Sequence, residues 1–232
     1  MSVVDKPARA ATVEGGDGEE APRRTLRKQR EKEQRVSTIL NAAEELFASK
    51  GYQGTSIEEI ADLAEVSTGT IYFYFKNKED LLIKIMQEIG IFLREWLGKE
   101  LEKTRPTFDG FSQVAVAFLR DFCVNYPEKI TIFFRESVGQ SQEVEEQRKD
   151  LFVRLTSDIK DVLVNISRRR GKGFVTDAAP EVMAVCIVGI YDRIACHYML
   201  WKHQESDVTD IVEETVSFML GGIRKLLAPN GK

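Results

Sequence analysis

Thr68-Gly-Thr-Ile-Tyr-Phe73 gathers groups that can read the edges of stacked bases: hydroxyls with adjoining methyls, a residue without a side chain, a phenol and a phenyl ring. Hydroxyls and methyls discriminate bases in a groove, and glycine lets backbone come close. Such groups work together only on a short helix that something else aims. Ser56-Ile-Glu-Glu59 is a capping box, and it opens a helix through Ile60, Ala61 and Leu63. A break at Glu65-Val66 comes next, and Ser67 can cap a second short helix from Thr68 to Tyr74. The layout is that of a helix-turn-helix. Ala61 is the small residue where the helices cross, and Ile60, Ala64, Val66 and Ile71 lock the pair from beneath. Thr68, Gly69, Thr70, Tyr72 and Phe73 are left facing outward, at the end of such a helix that meets base edges.

Other chemistry is poorly supported. Cys196, His197 and His203 suggest a metal, but the histidines are six positions apart, off a common helix face, and no CxxC or HExxH occurs. There is no nucleophile elbow, glycine-rich phosphate loop or Asp-rich metal motif, so neither catalysis nor a cofactor is expected. Cys123, Cys186 and Cys196 are odd in number and scattered, which reads as reduced thiols in a cytoplasmic protein. Arg168, Arg169 and Arg170 suit the C-terminal end of a helix better than a nucleic-acid site.

The elements that must position the reader are helical. Of 232 residues, 43% are hydrophobic and 30% charged, and only Pro106, Pro127 and Pro180 interrupt the body. The longest apolar run, Val182 to Tyr191, is half of what a membrane span needs, which is about 20 residues. Residues 1–34 read as a disordered tail, acidic and glycine-bearing at first, then basic. Within 23–35, Arg23, Arg24, Arg27, Lys28, Arg30, Lys32 and Arg35 face only Glu31 and Glu33, a local charge of +5 in a chain of net charge −4. Helical periodicity starts at Val36 and runs through Ile39, Leu40, Ala43, Leu46 and Phe47 to Lys50-Gly51. Asn77 caps a long helix marked by Leu82, Ile85, Met86, Ile89, Leu93, Trp96 and Leu97. Further helices are expected over about 108–124, from Pro127, over about 142–170, from Pro180 to Trp201, and from a cap at Asp207 to Leu226, ending near Pro229. No strand-period segment or repeat is present, so the fold class is all-α.

Three runs carry a specific resemblance: Gly51-Tyr-Gln-Gly-Thr-Ser-Ile-Glu-Glu-Ile-Ala61, Val66-Ser-Thr-Gly-Thr-Ile-Tyr-Phe-Tyr-Phe75 and Lys76-Asn-Lys-Glu-Asp-Leu81. Together they closely resemble the DNA-binding domain of TetR-family transcriptional repressors, over about residues 35–82. The resemblance implies a three-helix helix-turn-helix domain, here 35–80, and a larger helical effector-binding and dimerisation domain, 81–232. It implies a homodimer on a palindromic operator in double-stranded DNA. It places Thr55, Tyr72, Tyr74 and Lys78 at phosphate-contacting positions and Thr68, Gly69, Thr70 and Phe73 at base-facing ones, with Ser67 in the same interface. Lys76 and Lys78 also begin a helix whose amides favour anions. The sequence departs from the family at Glu65, where glycine is common, and at Tyr74, where histidine is common. A phenol still donates to phosphate, whereas Glu65 at positive φ would cost about 1 kcal/mol.

An effector pocket between helices needs apolar walls and a few polar groups. Trp96, Phe118, Phe122, Phe134, Arg135, Tyr191 and Arg193 are its candidates, with Asp192 a further charged residue inside an apolar helix. Core packing and ion pairing are the competing roles for these residues. The implied ligand is hydrophobic, aromatic or acyl. The stripe Ile211, Thr215, Phe218, Met219, Gly222 and Ile223, with Gly189 and Gly221, suits a dimer face. The basic run 23–35 could follow a phosphate backbone or enter a minor groove, or be a solvated leader. The expectation is therefore a cytoplasmic, non-enzymatic, ligand-released repressor. Its rivals are a helical carrier or enzyme with a vestigial DNA-binding domain, and an architectural DNA binder without an effector.

Overall fold

The computed structural model describes residues 20–201 and 208–227. The chain divides into two compact units, Met1–Thr38 and Ile39–Lys232. The described part of the first unit is the beginning of helix α1 (Glu20–Lys50). The helix thus starts well before Val36, and residues 20–34 are helical rather than disordered. Hydrophobic periodicity misses this stretch because its side chains are exposed from Leu26 to Arg35, so no apolar face marks it. Propensity and side-chain pairs hold it instead: Arg27 binds Glu31 at 2.8 Å and Gln29 donates to Glu33 at 2.8 Å, each one turn apart. The acidic leader 1–19, the cap at Asp207, His203 and Pro229 lie outside the described residues.

The regular elements among the described residues of the second unit are helices joined by short turns, apart from an isolated bridge between Phe174 and Leu227. Side-chain caps fix where helices start. Ser56, Ser67 and Asn77 cap α2 (Ile57–Leu63), α3 (Thr68–Tyr74) and α4 (Lys78–Glu102). Thr107 caps α5 (Phe108–Ala117), which continues through a π-helical turn, Phe118–Phe122, into α6 (Cys123–Asn125). Pro127 opens α7 (Pro127–Thr131), which runs into a second π-helical turn, Ile132–Glu136. Ser141 caps α8 (Gln142–Arg169), whose last turn carries Arg168 and Arg169. Helix α9 (Ala179–Ile194) passes into a third π-helical segment, Ala195–Trp201, and α10 (Val208–Leu226) comes last.

Helices α8, α9 and α4 pack side by side, with α5 and α10 completing the layer around one apolar core. Aromatic rings fill its centre. Trp96 meets Phe122 edge-on at 5.1 Å, Phe118 stacks on Phe122 at 5.5 Å, and Phe92 lies against Tyr126 at 4.9 Å. A smaller apolar group, Ile39, Ala43, Phe47, Ile60, Ala61, Ala64, Ile71 and Phe75, is buried around α2 and α3. No helix among the described residues is long and apolar enough to cross a membrane.

Candidate functional site

The capping box of α2 forms as the sequence predicts: Glu59 N–H donates to Ser56 Oγ at 3.2 Å, and Ser56 N–H donates to Glu59 Oε2 at 2.9 Å. Lys50 Nζ reaches Glu59 Oε1 at 2.6 Å, and that ammonium with the cap amide holds the Glu59 carboxyl below its usual range. Glu65 adopts φ +53°, the left-handed conformation that its place in the turn requires. Thr70 N–H donates to Ser67 Oγ at 3.1 Å, and the two hydroxyls of Ser67 and Thr70 pair at 2.9 Å. With Ile71 fully buried, α3 turns Tyr72 (55% exposed) and Phe73 (78% exposed) outward. Gly69 and Lys76 are exposed, and Thr68, Thr70 and Tyr74 are half-buried beside them. The Tyr74 ring packs edge-on against Phe73 at 4.9 Å.

Two of the residues expected at phosphates are occupied elsewhere. Thr55 is 3% exposed, and its hydroxyl donates to the carbonyls of Gly51 at 2.9 Å and Leu46 at 3.2 Å. It closes the α1–α2 corner instead of facing outward. Lys78 Nζ donates to the carbonyls of Tyr52 at 2.7 Å and Thr55 at 2.8 Å and stands 4.5 Å from the Tyr52 ring centroid. Its burial lowers the ammonium pKa, and burial likewise raises that of the Tyr52 phenol. Lys78 therefore clamps the corner, because an ammonium taken out of water needs acceptors and finds two carbonyls there.

The same corner is gripped from the far side. Tyr52 N–H donates to Glu136 Oε2 at 2.7 Å, and Arg135 Nε binds Glu136 Oε1 at 2.6 Å. Gly51, at φ +83°, has Glu136 Oε2 only 3.1 Å from where a Cβ would stand. A side chain there would be strained and would crowd the carboxylate. Gln53 pairs with Gln140, Ser141 with Glu79, and Lys129 with Glu44 at 2.7 Å. Glu136 ends the π-helical turn Ile132–Glu136, and Phe134 in that turn reaches a cavity.

That cavity measures about 230 Å³ and lies among α4, α5, α8 and α9. Leu93, Leu97, Phe111, Phe152, Ile159 and Ile187 are among its walls. Of the predicted pocket residues, Phe118, Phe134 and Tyr191 line it. Trp96 and Phe122 belong to the aromatic core, where Phe122 is fully buried. Arg135 is exposed and bonded to Glu136 and to the carbonyl of Ala48. Arg193 lies on another face of α9, in a groove shared with α10. Phe122 and Arg135 lie within π-helical turns, which depart from the 3.6-residue period that the sequence pattern assumes. Polar groups that the sequence pattern does not place here are Arg94 and Asp158, joined by two hydrogen bonds, one of 3.0 Å. Asp192 also lines the cavity, and its desolvation raises the carboxyl pKa against the pull of Arg193 and Arg148.

The α9–α10 groove is apolar and outward-facing. Val182, Val185 and Phe218 are exposed, and no atom lies within 4 Å of a Cβ built on Gly189, Gly221 or Gly222. The stripe predicted on α10 splits: Thr215, Met219 and Ile223 are buried, whereas Phe218 and Gly222 are exposed. Among the cysteines, Cys123 and Cys196 are buried and Cys186 is exposed, all as free thiols. His197 packs edge-on against Tyr198 at 4.8 Å.

Known proteins share this architecture. Residues 39–85 match the family described as bacterial regulatory proteins, tetR family. The HTH-type transcriptional repressor NicS of Pseudomonas putida is 34% identical over 103 residues, 44% of this chain and 48% of NicS, so the chain spans about half the length of that relative. The HTH-type transcriptional activator FasR of Mycolicibacterium smegmatis is 27% identical over 192 residues, 83% of this chain and 84% of FasR. The crystal structure of the transcriptional regulator FadR from Bacillus subtilis, in complex with stearoyl-CoA, superposes with a TM-score of 0.69 at 20% identity, covering 80% of this chain and 98% of that one. The capped, outward-turned α3 lies inside the segment that matches the tetR family of bacterial regulatory proteins, and the helical layer that follows has the fold of the FadR structure.

Proposed function

We propose that the chain is a cytoplasmic, homodimeric transcriptional repressor that holds a palindromic operator through α3 and releases it when a small hydrophobic effector fills the α4–α9 cavity. The observation that carries the proposal is the exposed edge of α3, with Tyr72 and Phe73 turned outward from a helix locked by buried Ile71. A vestigial reader would have no reason to keep this edge capped and open. Gly69, Thr70 and Phe73 meet base edges, and Tyr72, Tyr74 and Lys76 meet phosphates. The basic run in α1 (Arg27, Lys28, Arg30, Lys32, Arg35) adds phosphate attraction, which is local and compatible with a net-acidic chain.

Release acts through the links at the α1–α2 corner. Filling the cavity displaces Phe134, the π-helical turn repacks, and Glu136 loosens its hold on Tyr52 N–H. The corner then moves on α4, and the paired α3 helices lose the spacing that fits successive major grooves. Coupling of this kind is typically about 1–3 kcal/mol, enough to empty an operator without unfolding anything. NicS is a repressor and FasR an activator, so the sign of control needs its own measurement. Selecting duplex fragments bound by the purified chain from its source genome, then placing one upstream of a reporter, tests the whole reading. A shared inverted repeat and reporter silencing are expected. No enriched fragment would favour a carrier, and reporter stimulation would overturn repression.

A further inference from the structure

Cations in the last turn of a helix suit its dipole, and α8 and α10 both carry them. The dipole does not account for their convergence. Arg170, Lys172 and Arg224 stand on the wall of one recess of about 540 Å³, where α8 and α10 finish and α5 begins. We propose that this recess binds a diphosphate group, free or carried by a small molecule, at a site separate from the α4–α9 cavity and independent of the effector reading above.

The fold holds these groups in place. Gly171, at φ +64°, turns the chain out of α8. Lys172 N–H donates to the Ser167 carbonyl at 3.1 Å, and Ser167 Oγ donates to the Lys172 carbonyl at 2.6 Å, so the Lys172 backbone is pinned on both sides. Val175 N–H donates to the Leu226 carbonyl at 3.1 Å, beside the Phe174–Leu227 bridge, and this ties the loop to the end of α10. The Arg170 guanidinium lies 5.4 Å from the centre of the Phe108 ring, which is itself part of the wall. Among the described residues, the side chains of Arg170, Lys172 and Arg224 join no ion pair and donate no hydrogen bond. Asp109 is the acid on the wall and is likewise unpaired, so three cations against one carboxylate leave the recess a charge of +2.

A concave space lined by one sign of charge focuses its field and draws in the opposite ion. Two guanidinium forks match phosphate oxygens in pairs, and an ammonium adds a third point of charge. Leu220 and Leu227 join Phe108 on the apolar part of the wall, against which the organic portion of a phosphorylated molecule can lie. The volume falls within the usual ~300–1,000 Å³ of small-molecule sites. Pairing through the α9–α10 groove would leave the recess open. At 3.6 residues per turn, Leu220, Arg224 and Leu227 lie on the side of α10 turned away from Phe218.

Pyrophosphate, ADP and sulfate, titrated calorimetrically at fixed ionic strength into the full-length chain, Arg224→Gln and Lys225→Gln, test this. Each substitution removes one exposed cation, but only Arg224 lines the recess. Pyrophosphate is expected to bind wild type at least about tenfold more tightly than sulfate, and Arg224→Gln to weaken it at least about tenfold, as the loss of one charge-assisted hydrogen bond gives. Lys225→Gln should change it by no more than about twofold, as a solvated charge outside the site would. ADP binding at least as tightly as pyrophosphate assigns the group to an organic carrier, and weaker binding assigns it to the free anion; each supports a diphosphate site. Failure of both ligands to bind overturns the proposal. So does sulfate binding as tightly as pyrophosphate, an affinity that Arg224→Gln leaves unchanged, or one that Lys225→Gln lowers equally.

Discussion

Ile71 is buried while its neighbours Tyr72 and Phe73 are open, and that contrast within three residues lets α3 be both anchored and read from outside. Thr70→Ala is expected to relax preference at one base position at a cost of about 1–3 kcal/mol, measured on an operator mutated pair by pair. Unchanged selectivity would remove Thr70 from the base-reading set. Lys76 and Lys78 separate two roles that look alike in sequence. Lys76→Ala should reduce the slope of binding against salt by about 1. Lys78→Met should leave that slope intact and lower unfolding stability by about 2 kcal/mol in urea, because two charge-assisted bonds to the Tyr52 and Thr55 carbonyls are lost. The reverse pattern would return Lys78 to the phosphates. Glu65→Gly, which relieves φ +53°, is expected to raise stability by about 1 kcal/mol in the same assay. The outward edge of α3 was legible from spacing, and the strain at Glu65 from the resemblance to a family in which glycine is common at that place. The inward turn of Lys78 was not, because its acceptors lie 26 and 23 residues earlier in the chain and leave no mark on local pattern.

At the scale of elements, the starts of α2, α3 and α4 were legible because a cap is a local bond between residues three apart: Ser56 to Glu59, Ser67 to Thr70, Asn77 to Asp80. The start of α1 was missed for the opposite reason, since an exposed helix carries no apolar period. The π-helical turns were also hidden. Helical periodicity assumes 3.6 residues per turn, and Phe118–Phe122 and Ile132–Glu136 depart from it. Within the second turn, Phe134 lines the cavity while its neighbour Arg135 is exposed and bonded to Glu136. The second of these turns joins the cavity wall at Phe134 to the corner at Tyr52, so Glu136 is the residue to test. Glu136→Ala should bind effector with nearly wild-type affinity yet shrink the factor by which effector weakens operator binding, from the ordinary range of about 5–150-fold towards one. Operator titrations with and without a saturating ligand measure it. An undiminished factor would mean that the signal travels by α4 alone.

For the whole molecule, one reader is not enough. A short α3 spans only a few base pairs, and a two-fold pair of readers is what turns a half-site into an operator. For the pairing proposed above, the exposed apolar surface on offer is the α9–α10 groove. Phe218 is 75% exposed there, Val182 and Val185 stand open beside it, and glycines on both helices leave room for a partner's side chains. The sequence, helped by the family resemblance, suggested a dimer face on the α10 stripe but not which half of the stripe is open, because a helix with a wide apolar surface fits its core in more than one rotation. The structure turns Met219 and Ile223 inward and leaves Phe218 outward. Phe218→Glu therefore separates pairing from folding. It places a charge where the partner would seat and touches nothing in the core. Helicity by circular dichroism should match wild type, while sedimentation shifts from dimer to monomer. Operator affinity should fall by at least about a hundredfold, the loss of one half-site contributing several kcal/mol, whereas calorimetric binding of octanol, a probe of the α4–α9 cavity, persists in the separated subunit. A variant that stays dimeric would exclude this groove as the pairing face. A monomer that still held the operator at full strength would show that one α3 suffices, and the palindrome would lose its physical basis.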